Sequence, residues 1–325
     1  MYRITRRSLL MTGCGLVAGG FSLPASAAAR YLTIGTGGTG GVYYPYGGGL
    51  AQLFSKKLAE MQANAQVTGG SVDNVKLLGS NSAELGFSTV DSAYDGIKGE
   101  GAYADSGPQN IATLAVLYPS YLHIVATKAS GIKSIADLKG KRVSVGSAGS
   151  STESIADRIM AAAGLDPAKD ITRDNLGVAE SAGAITDGKS DVFFWIGGLP
   201  TPAVKDLVAS NGDKIVFIGT GETAAKLAQA YPGVYGTGKL KKSAYEILPD
   251  DLETLVVDNV LLVSESLDGM LVKEILGTIF DNLAEVQAIH PAAKRLTLET
   301  AAQKSAVAFH PAAIEFYASR GVKAQ

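Results

Sequence analysis

Two rhythms of apolar residues alternate along most of the chain. Tyr31-Leu32-Thr33-Ile34 is a short β-rich run ended by glycines. Tyr46, Leu50, Leu53, Phe54 and Met61 then recur at helical spacing and predict an amphipathic helix. Residues 65–68 read as strand, 72–78 as helix and 84–90 as strand again. The same alternation returns through a strand at 142–145, a helix at 154–163, a strand at 192–195, a helix at 202–210 and a strand at 214–218. Alternation of this kind predicts parallel sheets with helices on both faces, an α/β fold.

Two stretches break the rhythm. Residues 111–128 and 255–263 are long, apolar and β-branched, and they flank the second series of strands and helices. They are read as two crossings between lobes, with lobe 1 formed by 28–124 plus 259–325 and lobe 2 by 125–258. Two crossings make a hinge, and the cleft beside it opens and closes as a rigid-body motion. The competing reading is a pair of core strands in one large domain. The hinge is preferred because a single core rarely grows past ~250–300 residues.

The first 27 residues stand apart. Arg3, Arg6 and Arg7 precede an apolar stretch, 9–23, and then Pro24-Ala25-Ser26-Ala27. This is the layout of a signal peptide cut after Ala27. Thr5-Arg6-Arg7-Ser8-Leu9-Leu10 also resembles a twin-arginine export signal. The stretch is glycine-rich and falls short of the ~20 apolar residues that a spanning helix needs. A lipoprotein cleavage at Cys14 would leave a very short apolar region. Export to the periplasm is the expectation.

Cleavage changes two totals. The only cysteine goes, and with it any disulfide, catalytic thiol or thiolate metal site. Three positive charges go and no negative ones, leaving 26 basic against 31 acidic residues, a net charge of −5. That balance, without a basic cluster, argues against a nucleic-acid partner. The stretch nearest a membrane span, 111–126, is interrupted by Pro119 and His123 and reads as buried strand.

Gly35-Thr36-Gly37-Gly38-Thr39-Gly40 fits G-x-G-x-x-G between a strand and a helix, so a nucleotide-dependent exported enzyme is one hypothesis. The acid that would bind a ribose should end the second strand, near Val67-Thr68-Gly69-Gly70, and none is there. What remains is the physics of the loop: glycines allow close backbone approach, and the helix N-terminus favours an anion. Gly146-Ser147-Ala148-Gly149-Ser150-Ser151-Thr152 is a second such loop, with Ser151 or Thr152 a natural N-cap.

The residues from Ile34 to Pro45 closely resemble the start of the TAXI family of TRAP-transporter solute-binding proteins. The resemblance continues through Thr68–Asn74, Gly146–Thr152, Phe193–Pro202 and Phe309–Tyr317, in order along nearly the whole chain. Ser88-Thr89-Val90-Asp91 and Ala312 depart from the family's usual residues. The resemblance implies a type II periplasmic-binding-protein fold, monomeric by the family's precedent, that hands solute to sodium-coupled TRAP membrane subunits. A partner sensor kinase is the alternative. Known family ligands are glutamate, glutamine and related C4–C5 acids. By position, the ligand shell would draw on Thr39, Gly40, Tyr43 and Tyr44, then Ser71 and Val72, then Thr89 and Asp91. The other lobe would offer Ser147, Ser150, Ser151, Thr152 and Trp195.

No Arg or Lys occurs in these loops, so an anion would rest on amides, hydroxyls and helix ends. Asp91 would pair with an ammonium group, or else cap the helix 92–97. His123, His290 and His310 are too scattered to form a metal site, and no G-x-S-x-G elbow occurs. No catalysis, cofactor or metal is expected.

Overall fold

The computed structural model describes residues 30–325. The expected signal peptide therefore lies outside the described residues. The chain opens with β1 (Arg30–Gly35), α1 (Tyr43–Lys57), β2 (Met61–Gln66), α2 (Ser71–Gly79), β3 (Leu85–Thr89) and α3 (Val90–Lys98). The long β4 (Ile111–Thr127) follows. A second series runs through β5 (Arg142–Ser144), α4 (Ser151–Ala162), β6 (Thr172–Asp174), α5 (Val178–Thr186), β7 (Val192–Gly197), α6 (Pro202–Asn211), β8 (Ile215–Phe217), α7 (Glu222–Ala230) and β9 (Tyr235–Leu240). The long β10 (Leu252–Ser264) leads back to α8 (Gly269–Asp281), α9 (Leu283–Ile289), α10 (Leu298–Ala301) and α11 (Pro311–Ser319).

Strand order explains the architecture. In the first half the order is β2-β1-β3-β10-β4, and in the second β6-β5-β7-β4-β8. Each half has three parallel strands and one antiparallel strand borrowed from the other half's connection. β4 pairs with β10 from Ile111 to Tyr121, then with β7 from Tyr121 and with β8 from Val125. β10 pairs with β9 up to Val257 and with β3 from Asn259, with a register shift between Asp258 and Val260. Two α/β halves that exchange one strand each way are the type II periplasmic-binding-protein arrangement. Almost every side chain of β4 is buried, which is why its sequence is apolar without alternation.

Boundaries moved where local chemistry overrode periodicity. Met61 belongs to β2 and not to the first helix: Glu60 takes a left-handed turn (φ 57°), which ends the helical path. Residues 67–68 consequently fall after the strand. Helix α4 starts at Ser151 because Ser150 caps it, its hydroxyl accepting from the Glu153 amide at 3.3 Å. That replaces the expectation of Ser151 or Thr152 as the cap. Helix α3 starts at Val90 with Thr89 at its cap position, so Asp91 lies inside the first turn and is not the N-cap.

Candidate functional site

A cavity of about 40 Å³ sits where the two halves meet. That is room for ~3 waters, taking ~10–15 Å³ for each. Its walls come from both halves. Gly37, Gly38, Gly41, Val42 and Tyr43 arrive from the first glycine loop, and Gly69, Gly70 and Ser71 from the second. Opposite stand Ser147, Ser150, Ser151, Thr152, Gly177, Val178, Trp195, Ile196 and Gly197, while Tyr118 and Ser120 of β4 form the floor. None of these residues is charged.

Four helix N-termini converge here. Helices α1, α2, α4 and α5 begin at Tyr43, Ser71, Ser151 and Val178, and all four residues line the cavity. First-turn amides have no partner further back in their own helix, and the aligned peptide dipoles leave partial positive charge there. The site therefore attracts negative charge without a single cationic side chain.

A hydroxyl network crosses the cleft. The Ser71 hydroxyl lies 3.3 Å from that of Ser151 and accepts the Thr89 amide at 3.1 Å. Tyr43 donates to Asn259 Oδ1 at 2.6 Å, and burial pushes its pKa above the ordinary tyrosine value. Asn259, fully buried on β10, donates to the Tyr118 carbonyl at 2.8 Å and to Ser120 Oγ at 2.7 Å. All of its amide hydrogens and its carbonyl are thus committed. Backbone contacts also cross: Asp73 N donates to Gly149 O at 3.1 Å, and Ala203 N to Gly40 O at 3.3 Å. At Gly70, with φ 133°, a Cβ would come within 3.3 Å of Ser150, so glycine meets both the left-handed backbone and the close approach.

The predicted residues divide. Tyr43, Ser71, Ser147, Ser150, Ser151, Thr152 and Trp195 line the cavity; Thr39, Gly40, Tyr44, Val72, Thr89 and Asp91 do not. Thr39 and Tyr44 are exposed, and Tyr44 faces a shallow groove on the outer side of α1. Tyr43 and Tyr44 are one residue apart on a helix, ~100° around its axis, so both cannot face the same wall. Val72 is core. Gly40 packs against Ala179 and Ala203 near the cavity without lining it. Thr152 accepts the Ile196 amide at 3.3 Å and Ser150 caps α4, so both hydroxyls already have structural work.

Asp91 does something else. It is fully buried; its Oδ2 accepts the Tyr235 hydroxyl at 2.8 Å and lies 3.8 Å from Arg158 Nη1. Arg158 also donates to Tyr235 at 2.6 Å and to Asp95 at 2.6 Å. This cluster ties α3 in one half to α4 and β9 in the other. Burial raises the pKa of Asp95, against the pull of Arg158.

Sequence reasoning missed the floor. Tyr118 and Ser120 interrupt the apolar run of β4, and a polar pair within a crossing strand was the available signal. Asn259 interrupts β10 in the same way. A further chain supports Trp195. His123, fully buried, bonds the Tyr121 carbonyl through Nδ1 at 2.8 Å and the Tyr245 hydroxyl through Nε2 at 2.9 Å. A neutral ring with its proton on Nδ1 satisfies both, and burial lowers the pKa to about 4. Tyr245 accepts the Thr201 amide, and Thr201 Oγ1 accepts the Trp195 indole N–H at 2.9 Å.

The nucleotide expectation gains nothing here. The second strand ends at Gln66, whose carbonyl accepts from Thr36, and no acid occurs at 66–70, where the strand gives way to the loop. Among the described residues there is no cluster of three or more potential metal-ligating His, Cys, Asp or Glu side chains, and no helix is long and apolar enough to cross a membrane.

A sequence model of a family described as NMT1-like matches residues 34–321. Among solved structures, the chain is similar to the binding-protein component of an ABC phosphonate transporter from Pseudomonas aeruginosa. That match has 12% identity and a TM-score of 0.53, covering 81% of this chain and 79% of the other. It is also similar to the alkanesulfonate-binding protein of Xanthomonas axonopodis pv. citri, with 16% identity and a TM-score of 0.49, covering 90% and 85%. At these identities the likeness is one of fold.

Proposed function

The chain belongs to the NMT1-like family, and on that premise we propose that it is an extracytoplasmic solute receptor that closes its two lobes around a small anion. The lobes are taken as 28–124 with 259–325, and 125–258, turning about β4 and β10. One observation carries the reading. A cavity between the halves is lined by the N-termini of four helices and by no charged side chain. Its walls offer hydroxyls, amides and aromatic faces, and no Asp, Glu, His or Lys that would activate one of the hydroxyls as a nucleophile.

The solute is delivered to a membrane transporter. The resemblance of the glycine loops to TAXI receptors favours sodium-coupled TRAP subunits, while the similar Pseudomonas aeruginosa protein is the binding component of an ABC phosphonate transporter. Reconstituting the receptor with its membrane subunits decides between them: uptake driven by a sodium gradient without ATP supports TRAP, and uptake requiring ATP refutes it.

Binding itself is tested by thermal shift after unfolding and refolding to strip carried ligand. The panel holds glutamate, glutamine, 2-hydroxyglutarate, other dicarboxylates, sulfonates, phosphonates and NAD. A ligand at ~1,000 times its Kd adds about 4 kcal/mol, a shift of several degrees. Ser151→Leu fills the cavity from the α4 side and is expected to abolish the shift while leaving the ligand-free protein folded. A shift with NAD alone, or an unchanged shift in Ser151→Leu, overturns the assignment.

A further inference from the structure

Two features of the cavity bear on which anion it takes. The first is the absence of a negative counter-charge among its lining residues. Neither acid of the segments that build the first half's wall is one of them: Asp73 accepts the Gly69 amide at 2.9 Å, and Asp91 pairs with the other half. Its Oδ2 is engaged by Tyr235 and faces Arg158, and its Oδ1 has no partner among the described residues. An ammonium group held here would sit beside four helix N-termini with no carboxylate on the cavity wall.

The second feature is an orphaned donor. Tyr118 is 3% exposed and lines the cavity floor, and its hydroxyl has no hydrogen-bond partner among the described residues. A buried hydroxyl left unpaired costs about 1–3 kcal/mol, so the position is held for something that pairs with it. Burial keeps the phenol protonated, with its pKa well above the ordinary value, so it remains a neutral donor. Ser120 beside it accepts from Asn259, which leaves the Ser120 hydroxyl hydrogen free as a second donor from the same strand.

We infer that the cleft selects anions carrying no cationic group, and that the Tyr118 hydroxyl is the specificity-determining contact, reading an uncharged oxygen beside the anionic one. This rests on the receptor reading above. The anionic oxygens face the helix N-termini, and a carbonyl or hydroxyl oxygen of the same molecule faces the β4 floor. A 2-oxo or 2-hydroxy acid fits both ends; the 2-amino acid of the same skeleton places a positive charge where no wall residue carries an opposing one.

Calorimetric titration of the stripped protein with two isosteric sets tests this: pyruvate, lactate and alanine, then 2-oxoglutarate, 2-hydroxyglutarate and glutamate. Within the set that binds, the oxo or hydroxy acid is expected to bind at least about 100-fold tighter than its amino counterpart, the order expected for an unpaired buried charge. Tyr118→Phe is expected to weaken the oxo or hydroxy acid about 5-fold, as for one lost neutral hydrogen bond, with the melting temperature of the ligand-free protein unchanged or raised. An amino acid binding as tightly as its isosteres overturns the inference and leaves the receptor reading standing. Equal affinities in Tyr118→Phe and the parent remove Tyr118 from the contact. If none of the six acids, methanesulfonate or methylphosphonate binds, the receptor reading fails and the inference falls with it.

Discussion

Replacing Arg158 with methionine separates closure from folding. Arg158 projects from α4 to Asp95 and Asp91 on α3, and to Tyr235 on β9. The side chains of Asp91 and Asp95 are 0% and 7% exposed, and that of Arg158 is 19% exposed. Removing one partner of a buried ion pair costs about 3–5 kcal/mol, because the remaining charge is stranded. Arg158 retains some contact with water, so the lower end, about 3 kcal/mol, applies. In an open form α3 and α4 separate and both carboxylates regain water, so this cost falls on closure. Binding that requires closure then weakens about 150-fold. Calorimetry with the tightest acid of the panel measures the loss, and small-angle scattering measures the closed fraction at saturation. Arg158→Lys keeps the charge but loses the planar fork, and is expected to fall between. Affinity within about twofold of the parent would refute a role for the Arg158 cluster in closure. So would an equal loss of ligand-free stability, which would make the cluster part of the fold rather than of the closed state.

Other substitutions probe the same geometry. Gly69→Ala places a methyl group against the Ala148 carbonyl oxygen of the opposite lobe; overpacking at about 1–3 kcal/mol predicts roughly tenfold weaker binding, with the ligand-free melting temperature little changed. Asn259→Leu strips the partners of Tyr43 and Ser120; a fall of several degrees in melting temperature and weaker binding are both expected, since each stranded buried group costs about 1–3 kcal/mol. His123 titrates near 6.5 when unfolded and at about 4 when folded. Between those values the unfolded chain binds a proton that the native chain refuses, so stability falls as pH drops through this window and levels off below it. The contribution is about 3 kcal/mol. Denaturant titrations at pH 7 and pH 4 are expected to show this fall for the parent and a smaller one for His123→Gln; equal falls would refute it.

Much of the fold was legible because burial writes itself into periodicity. The long, mostly apolar runs of β4 and β10 marked strands covered on both faces, and the glycine loops marked helix starts beside a cleft. The site was legible only by segment. Sequence placed Tyr43 and Tyr44 together, whereas helix geometry turns Tyr44 outward. It offered Asp91 to a ligand, whereas the tertiary fold pairs that acid with residues 67 and 144 positions away. Such a long-range partner leaves no local trace. Tyr118, Ser120 and Asn259 were hidden for the opposite reason: they look like minor interruptions in core strands until the strands are seen to run beneath the cavity.

Trp195 is the only tryptophan of the chain, and its ring lies against the Gly41 loop of the opposite lobe, with Cη2 3.0 Å from where a Gly41 Cβ would sit. Its emission therefore reports whether the lobes meet. Titrating a small anion into stripped protein is expected to shift Trp195 emission to shorter wavelength, saturably and at one equivalent per chain, and Ser151→Leu is expected to abolish the change. Saturable binding of an anion with Trp195 emission unmoved, or an unchanged response in Ser151→Leu, would contradict a ligand site between the lobes.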